Sequence, residues 1–240
     1  MTTITHAMIL AAGLGTRLRP LTERVPKPLV EVAGRSLIDR IADRLAEAGI
    51  ERVVANGHHL GDQVARWAAG RQRPPVTLAA EPVLLETGGG VKAALGLLGQ
   101  APFFVVNGDS LWLDGPRPAL ARLAGAWDDG AMDALLLVIA TPRANGYEGR
   151  GDFLIDPLGR ARRRREREVA SHAFIGVQIL HPRLFADAPD GPFSLNRLYD
   201  RAAETGRLHA IAHDGAWFHI STPNDLADAD AKLRQRHFVT

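Results

Sequence analysis

Three cations and one carboxylate stand out in this chain for their neighbours. Arg17, Arg19 and Lys27 follow the glycine turn Gly13-Leu14-Gly15, and Asp109 closes the segment Val106-Asn-Gly-Asp109. Glycines lack a Cβ, so backbone N–H groups there can approach an anion closely, and the arginines and lysine add fixed positive charge to the same small region. The ligand this implies is a polyphosphate. A carboxylate facing such a ligand would be repelled unless a divalent cation lay between them. Hard oxygen donors and phosphate suit Mg²⁺, which keeps one or two carboxylates and several waters. The plain alternatives are a tight turn with solvated arginines and an Asn-Gly-Asp turn without a ligand.

Both features need strands to deliver them. Residues 7–12 and 103–106 are apolar runs that stop at the first glycine and at Asn107. Each reads as a buried strand carrying its loop to the carboxyl edge of a sheet, where open α/β folds bind ligands. The first loop is not a P-loop, because no lysine follows in the Gly-x-x-x-x-Gly-Lys-Ser/Thr register. Leu18 stands where the dinucleotide fingerprint wants its third glycine. Between the two strands, Ser36 can cap a helix through Leu37, Ile38, Ile41, Leu45 and Ala48 that Gly49 ends. A strand over 52–55, a helix over 62–69, a strand over 76–80 and a helix over 90–98 follow. Gly88-Gly89-Gly90 then reads as a turn ahead of that last helix, exposing its N-terminal amides. Such alternation implies parallel βαβ units with helices on both faces. The second half reads as a helix over 118–127, a strand over 134–140, short strands between 153 and 180, and helices over 196–205 and 224–234. The fold expected is a three-layer α/β sandwich with a mainly parallel, Rossmann-like central sheet and a smaller mixed sheet, one domain over 1–240.

Composition excludes several classes of function. With 240 residues, 46% of them hydrophobic, the chain can bury one substantial core. Its 29 basic and 27 acidic residues leave a formal charge of +2, which gives no general affinity for nucleic acid. No cysteine is present, hence no disulfide, thiolate nucleophile or Cys-ligated metal. No apolar run approaches the ~20 residues of a membrane span. The first strand begins too early to leave room for a signal peptide, so a cytoplasmic protein is expected. Six arginines in 160–167 have no aromatic interleaving and read as a solvated edge. The histidines lack metal-ligand spacing.

The run from Leu10 to Thr22, Leu-Ala-Ala-Gly-Leu-Gly-Thr-Arg-Leu-Arg-Pro-Leu-Thr, with Pro26-Lys-Pro28 after it, closely resembles the signature of the sugar-1-phosphate nucleotidyltransferases. Leu85-Glu-Thr-Gly-Gly-Gly-Val-Lys92, Val106-Asn-Gly-Asp109, Gly149-Arg-Gly-Asp-Phe153 and residues 217–226 extend the likeness over nearly the whole chain. The Glu-Thr-Gly-Gly-Gly form with the later Gly-Arg-Gly-Asp-Phe is most similar to the N-acetylmuramate-1-phosphate uridylyltransferases. The resemblance implies Mg²⁺-dependent uridylyl transfer from UTP to N-acetylmuramate 1-phosphate by a monomer or homodimer, with no nucleic acid or membrane as partner. It implies that residues 1–115 bind the nucleotide and 116–240 the sugar. Arg17, Lys27 and Asp109 take the catalytic positions, and Asp109 matches the aspartate that binds the catalytic metal. Leu10, Ala11, Ala12, Gly13, Gly15, Thr16, Gly88 and Asn107 fall to the nucleotide, with Glu81 as an anchor for its base. Glu86, Thr87, Arg150, Asp152 and Asn196 fall to the sugar phosphate, with Lys92 as a further candidate for contact near the glycines.

Two departures from the pattern matter. Family members carry a second metal-binding aspartate in Asp-x-Gly-Thr near the C-terminus, whereas here His219 stands at the aspartate position and Ser221 at the glycine. Imidazole suits Mg²⁺ poorly and Mn²⁺ better, so either Asp109 and substrate phosphates hold the metal without this ligand or the activity is altered. The lysine that contacts the sugar phosphate in many members has no clear counterpart, and an arginine of 160–167 is a candidate substitute. Two other readings follow from the same residues. A guanylyl- or thymidylyltransferase on mannose or another hexose 1-phosphate is one, since Glu81 can pair with guanine as well as with uracil. A non-catalytic nucleotide-sugar-binding regulatory protein is the other, supported by His219 and Ser221 alone.

Overall fold

The computed structural model describes residues 3–236. Its first half runs β1 (His6–Leu10), three short 3-10 turns, the hairpin β2 (Glu31–Val32) and β3 (Arg35–Ser36), and α1 (Leu37–Glu47). It continues with β4 (Arg52–Gly57), α2 (Gly61–Gly70), β5 (Val76–Ala80), α3 (Glu86–Leu98) and β6 (Phe103–Asn107). Next come β7 (Leu111–Leu113), α4 (Ala119–Ala126), β8 (Ala134–Ala140), β9 (Ala144–Asn145), β10 (Phe153–Ile155) and β11 (Ala161–Arg163). The chain then forms β12 (His172–Leu180), α5 (Asn196–Glu204), β13 (Leu208–Ala212), β14 (Ala216–Phe218) and α6 (Pro223–Arg236).

Nine strands make one sheet in the order β11-β10-β12-β6-β1-β4-β5, with β8 pairing β12 and β13. The block β6-β1-β4-β5 is parallel, and β12 joins it antiparallel through Val177 and Val106. The sheet therefore runs unbroken through both halves of the chain. Alternation along β1 sends Ala7 and Ile9 to one face and Met8 to the other. The first face packs on α1, α2 and α4 through Ile38, Ile41, Leu45, Val64, Leu120 and Leu123. The second packs on α3 and α5 through Val91, Ala94, Leu98, Leu198, Tyr199 and Ala202. This is the expected three-layer sandwich, and β7-β14-β9 forms the smaller mixed sheet. The Ser36 hydroxyl caps α1 by accepting from the Asp39 N–H at 3.1 Å, as the sequence predicts.

The start of α3 departs furthest from the expected boundaries, the others shifting by at most two residues. The helix predicted over 90–98 begins at Glu86, so the three glycines lie inside its first turns and are buried. Among the described residues no helix is long and apolar enough to cross a membrane.

Candidate active site

The carboxyl ends of β1, β4 and β6 open into a cleft of ≈ 390 Å³. Its floor is Leu10, Ala12, Gly13 and Gly15, and its sides are Lys27, Pro28, Asn56, Asn107 and Asp109. The start of α3 adds Leu84, Glu86 and Thr87, and Ser194 closes the far wall. Nothing lies within 4 Å of where a Cβ on Gly13 would stand, so its backbone faces open space.

Lys27 and Asp109, 82 residues apart, meet here: Lys27 Nζ donates to Asp109 Oδ2 at 2.6 Å. Close packing of Gly108 brings them together. Its N–H donates to the Leu10 carbonyl at 2.8 Å. A Cβ at Gly108 would sit 2.7 Å from that carbonyl oxygen and 2.9 Å from Pro28, closer than real contacts allow. From the other side, Ser110 Oγ donates to the Ile175 carbonyl at 2.8 Å, at the bulge in β12. The Asp109 turn is thus pinned between β1 and β12. The Asp109 side chain is 40% exposed. Lys27 is its only side-chain partner among the described residues. Among those residues no three His, Asp or Glu side chains gather to hold a metal ion by themselves. A cation at Asp109 would rest on one carboxylate, water and ligand oxygens, a donor set that fits Mg²⁺.

The other sequence-predicted residues divide by where they stand. Thr16 and Arg17 lie exposed on the first 3-10 turn, at the rim of the cleft and outside its lining. Ala11 is buried beneath the loop. His219 also lies off the lining, edge-on to Tyr147 with ring centroids 5.7 Å apart and beside Trp217 at 5.5 Å. Burial first, then the charges of Lys27 and Arg17, holds the His219 imidazole below its usual range, against weaker opposition from Asp109 and Asp225. It is neutral at pH 7. Asp225 accepts from the Ser221 and Thr222 N–H groups at 2.9 and 2.7 Å, which commits it to capping α6.

The glycine triplet does something other than expected. The N–H groups of Gly88 and Gly89 donate to the Phe193 carbonyl at 2.8 and 3.1 Å, so they are spent inside the protein. A Cβ on Gly88 would overlap Phe193, and one on Gly89 the Gly191 carbonyl. These glycines make room for the 188–195 segment. Thr87 Oγ1 accepts from the Leu195 N–H at 3.0 Å, and Lys92 Nζ reaches the Ala188 carbonyl at 2.7 Å and Asp190 at 2.7 Å. Gly88 and Lys92 therefore face this strap. Glu81 is likewise inside, 6% exposed and absent from the cleft lining.

Of the residues expected on the sugar side, only Glu86 and Thr87 line the cleft. Asp152 and Asn196 line a second hollow with Phe153, Arg163, Arg164, Glu166 and Phe174. Asp152 also ties β10 to β12 by accepting from the Phe174 N–H at 2.9 Å. Arg150 is exposed and lines neither. Within the arginine run, Arg160, Arg162 and Arg163 pair with Asp156, Glu168 and Asp200. Among the described residues the Arg164 guanidinium donates only to the carbonyls of Arg165 and Glu166, and its backbone N–H to the Asp152 carbonyl.

Sequence reasoning missed Asn56 and Ser194. Asn56 closes Val53-Val-Ala-Asn-Gly57 as Asn107 closes Val105-Val-Asn-Gly108, and that repeated ending of an apolar strand was the available signal. Ser194 carried none beyond its place in Phe193-Ser-Leu-Asn196.

Residues 6–148 match the nucleotidyl transferase family. The chain is 43% identical over 234 residues to N-acetylmuramate alpha-1-phosphate uridylyltransferase of Caulobacter vibrioides, covering 95% of this chain and 97% of that one. It is 35% identical over 232 residues to the enzyme of the same description from Neisseria meningitidis serogroup B, covering 94% and 96%. The fold matches a crystal structure of UDP-glucose pyrophosphorylase complexed with UDP-glucose, with TM-score 0.81 at 16% identity, covering 97% of this chain and 99% of that one.

Proposed function

The chain belongs to the nucleotidyl transferase family, and from that premise we propose that it transfers a uridylyl group from UTP to N-acetylmuramate 1-phosphate. The products are UDP-N-acetylmuramate and pyrophosphate. The observation that carries this reading is the meeting of Lys27 and Asp109 in a cleft floored by the glycine loop, in a chain so like two uridylyltransferases along its whole length.

A phosphate oxygen of the sugar 1-phosphate attacks the α-phosphorus of UTP. The bond from that phosphorus to the bridging oxygen of the β-phosphate breaks, and pyrophosphate leaves with the electron pair. No bond to the protein forms, so catalysis is positioning and charge neutralisation. Backbone amides at Gly13 and Gly15 bind the β- and γ-phosphates, and Arg17 swings in from the rim to hold the leaving pyrophosphate. Lys27 neutralises charge where attacking and leaving oxygens meet. Asp109 would hold Mg²⁺, which would supply Lewis-acid stabilisation of phosphoryl oxygens. Residues 1–115 serve the nucleotide and 116–240 the sugar. On the sugar side Arg164, with no carboxylate partner in its hollow, takes the anionic end of the substrate. UTP as donor puts the reaction in the cytoplasm, by a monomer or homodimer.

Pyrophosphate release should be measured with UTP, GTP and dTTP against a panel of sugar 1-phosphates. Turnover with UTP and N-acetylmuramate 1-phosphate is expected. Faster turnover of mannose 1-phosphate with GTP would establish a guanylyltransferase instead, and no turnover with any pair would leave a binding protein.

A further inference from the structure

Behind the cleft, three segments distant in sequence converge on one buried carboxylate. Asn56, at the end of β4, is 2% exposed and accepts the Ala11 N–H through Oδ1 at 2.6 Å. Its Nδ2 donates to Glu81 Oε1 at 2.6 Å. Glu81 Oε2 accepts the Leu85 N–H at 3.1 Å, at the entrance to α3. The Glu81 N–H itself donates to the Gly57 carbonyl at 2.8 Å. The third glycine of the triplet belongs to the same arrangement. A Cβ at Gly90 would stand 2.7 Å from Glu81 Oε1 and 2.9 Å from Asn56 Nδ2, so the bare face of α3 makes the seat for the pair.

We infer that Glu81 is a positioning residue that, through Asn56, tethers the start of the phosphate-binding loop to α3, and that it does not read the base. Access decides between these roles. A carboxylate has lone pairs to spare, but Glu81 is 6% exposed, is absent from the cleft lining, and has one oxygen on Asn56 and the other on the Leu85 N–H. The bonds from Ala11 to Asn56 and from Asn56 to Glu81 are buried, and that from Leu85 is partly so; losing a buried partner leaves a group unsatisfied. The tether fixes the backbone just ahead of Gly13 and Gly15 relative to the α3 residues that line the opposite wall, before any ligand arrives. This rests on the nucleotide-binding reading of the cleft and adds that affinity for the phosphates and choice of base are separable.

The test is Glu81→Gln, which keeps an acceptor for Asn56 but turns an NH₂ toward the Leu85 N–H. Calorimetric titration with UTP and GTP should show both weakened by about tenfold, the cost of one broken charge-assisted bond, with their affinity ratio kept within about twofold. Amide hydrogen exchange over residues 11–15 should quicken in the free protein. Gly90→Ala, which crowds the same carboxylate, should quicken it too, so a poorly folded first variant does not end the test. A changed UTP-to-GTP ratio with unchanged exchange would make Glu81 a base reader and overturn the inference. Unchanged exchange in both variants would also overturn it. Exchange needs no nucleotide, so it tests the tether even if the wild-type protein binds neither triphosphate, a result that would refute the proposed function instead.

Discussion

The cleft over the parallel strands and the hollow beside β10 and β11 hold their polar groups in opposite ways. In the cleft, Asn56, Asn107 and Asp109 stand at strand ends whose backbones are locked by the sheet, and Gly108 and Ser110 pin the turn that bears Asp109. In the hollow, Arg163, Arg164 and Glu166 ride on or beside the short edge strand β11, and the ion pair of Arg163 with Asp200 is open to solvent. Exposed pairs contribute little and re-form easily. The cleft is therefore suited to a fixed task, holding phosphates in line. The hollow is suited to adapting its charges to a substrate. Preorganised groups act mainly on kcat, whereas adaptable ones act on substrate affinity and choice.

That contrast can be broken most directly at Asp109. Asp109→Ala should lower kcat/KM by roughly 10³-fold or more, since several kcal/mol of charge stabilisation depends on it. The fold, followed by circular dichroism, should be intact. Retained activity would misplace the catalytic centre. Lys27→Ala comes next: a charge-assisted contact worth about 1.5–3 kcal/mol corresponds to roughly 10- to 150-fold. If Lys27 acts at the transition state, the loss should fall on kcat more than on KM. In the hollow, Arg164→Ala should raise KM for the sugar 1-phosphate by about tenfold and leave KM for UTP unchanged, whereas Arg162→Ala, already paired with Glu168, should change neither. Equal effects of both arginines would show that the hollow binds nothing in particular.

A smaller effect is expected at His219. A neutral imidazole adds no charge to the metal site, so His219→Asp should lower the Mg²⁺ concentration giving half-maximal rate, and the wild-type protein should respond well to Mn²⁺. If His219→Ala matches wild type with both metals, the ring only packs against Tyr147 and Trp217. The smallest effect concerns stability. His213 is buried, and burial holds its pKa below the usual 6.5. Its Nε2 reaches the Leu113 and Ala216 carbonyls, while Nδ1 has no partner among the described residues. A depressed folded pKa means the unfolded chain takes the proton first as pH falls. Stability should hold above about pH 6.5 and decline below it, read as a Tm that is level from about pH 8 to about pH 6.5 and falls from there to about pH 5.5, with a shallower fall in His213→Gln. A Tm independent of pH over that window would contradict this.

The same contrast explains what could be read from the chain. Apolar runs that end at glycine or asparagine announce strands delivering loops to a sheet edge, which is why the placement of the Gly13 loop and the Asp109 turn is legible in the sequence. The three glycines at 88–90 were legible as important but not in kind. The reason for Gly88 and Gly89 is a strap more than 100 residues later in the chain, and the reason for Gly90 is the seat it leaves for Glu81 and Asn56, neither of which a local pattern encodes. Glu81 is expected at the nucleotide from the resemblance, and its burial beside Asn56 and Gly90 is a tertiary fact that no local pattern encodes. The split between cleft and hollow was hidden because Asp152 and Asn196 sit in ordinary turn and helix-start sequences.

The central claim is that the fixed cleft and the adaptable hollow together select one nucleotide and one sugar phosphate. It is tested most directly by kcat/KM for N-acetylmuramate 1-phosphate against N-acetylglucosamine 1-phosphate, both with UTP. The two sugars differ only in the lactyl group, so a higher value for the muramate is predicted, with the preference shrinking in Arg164→Ala. Equal values for the two sugars in the wild-type protein would contradict the account.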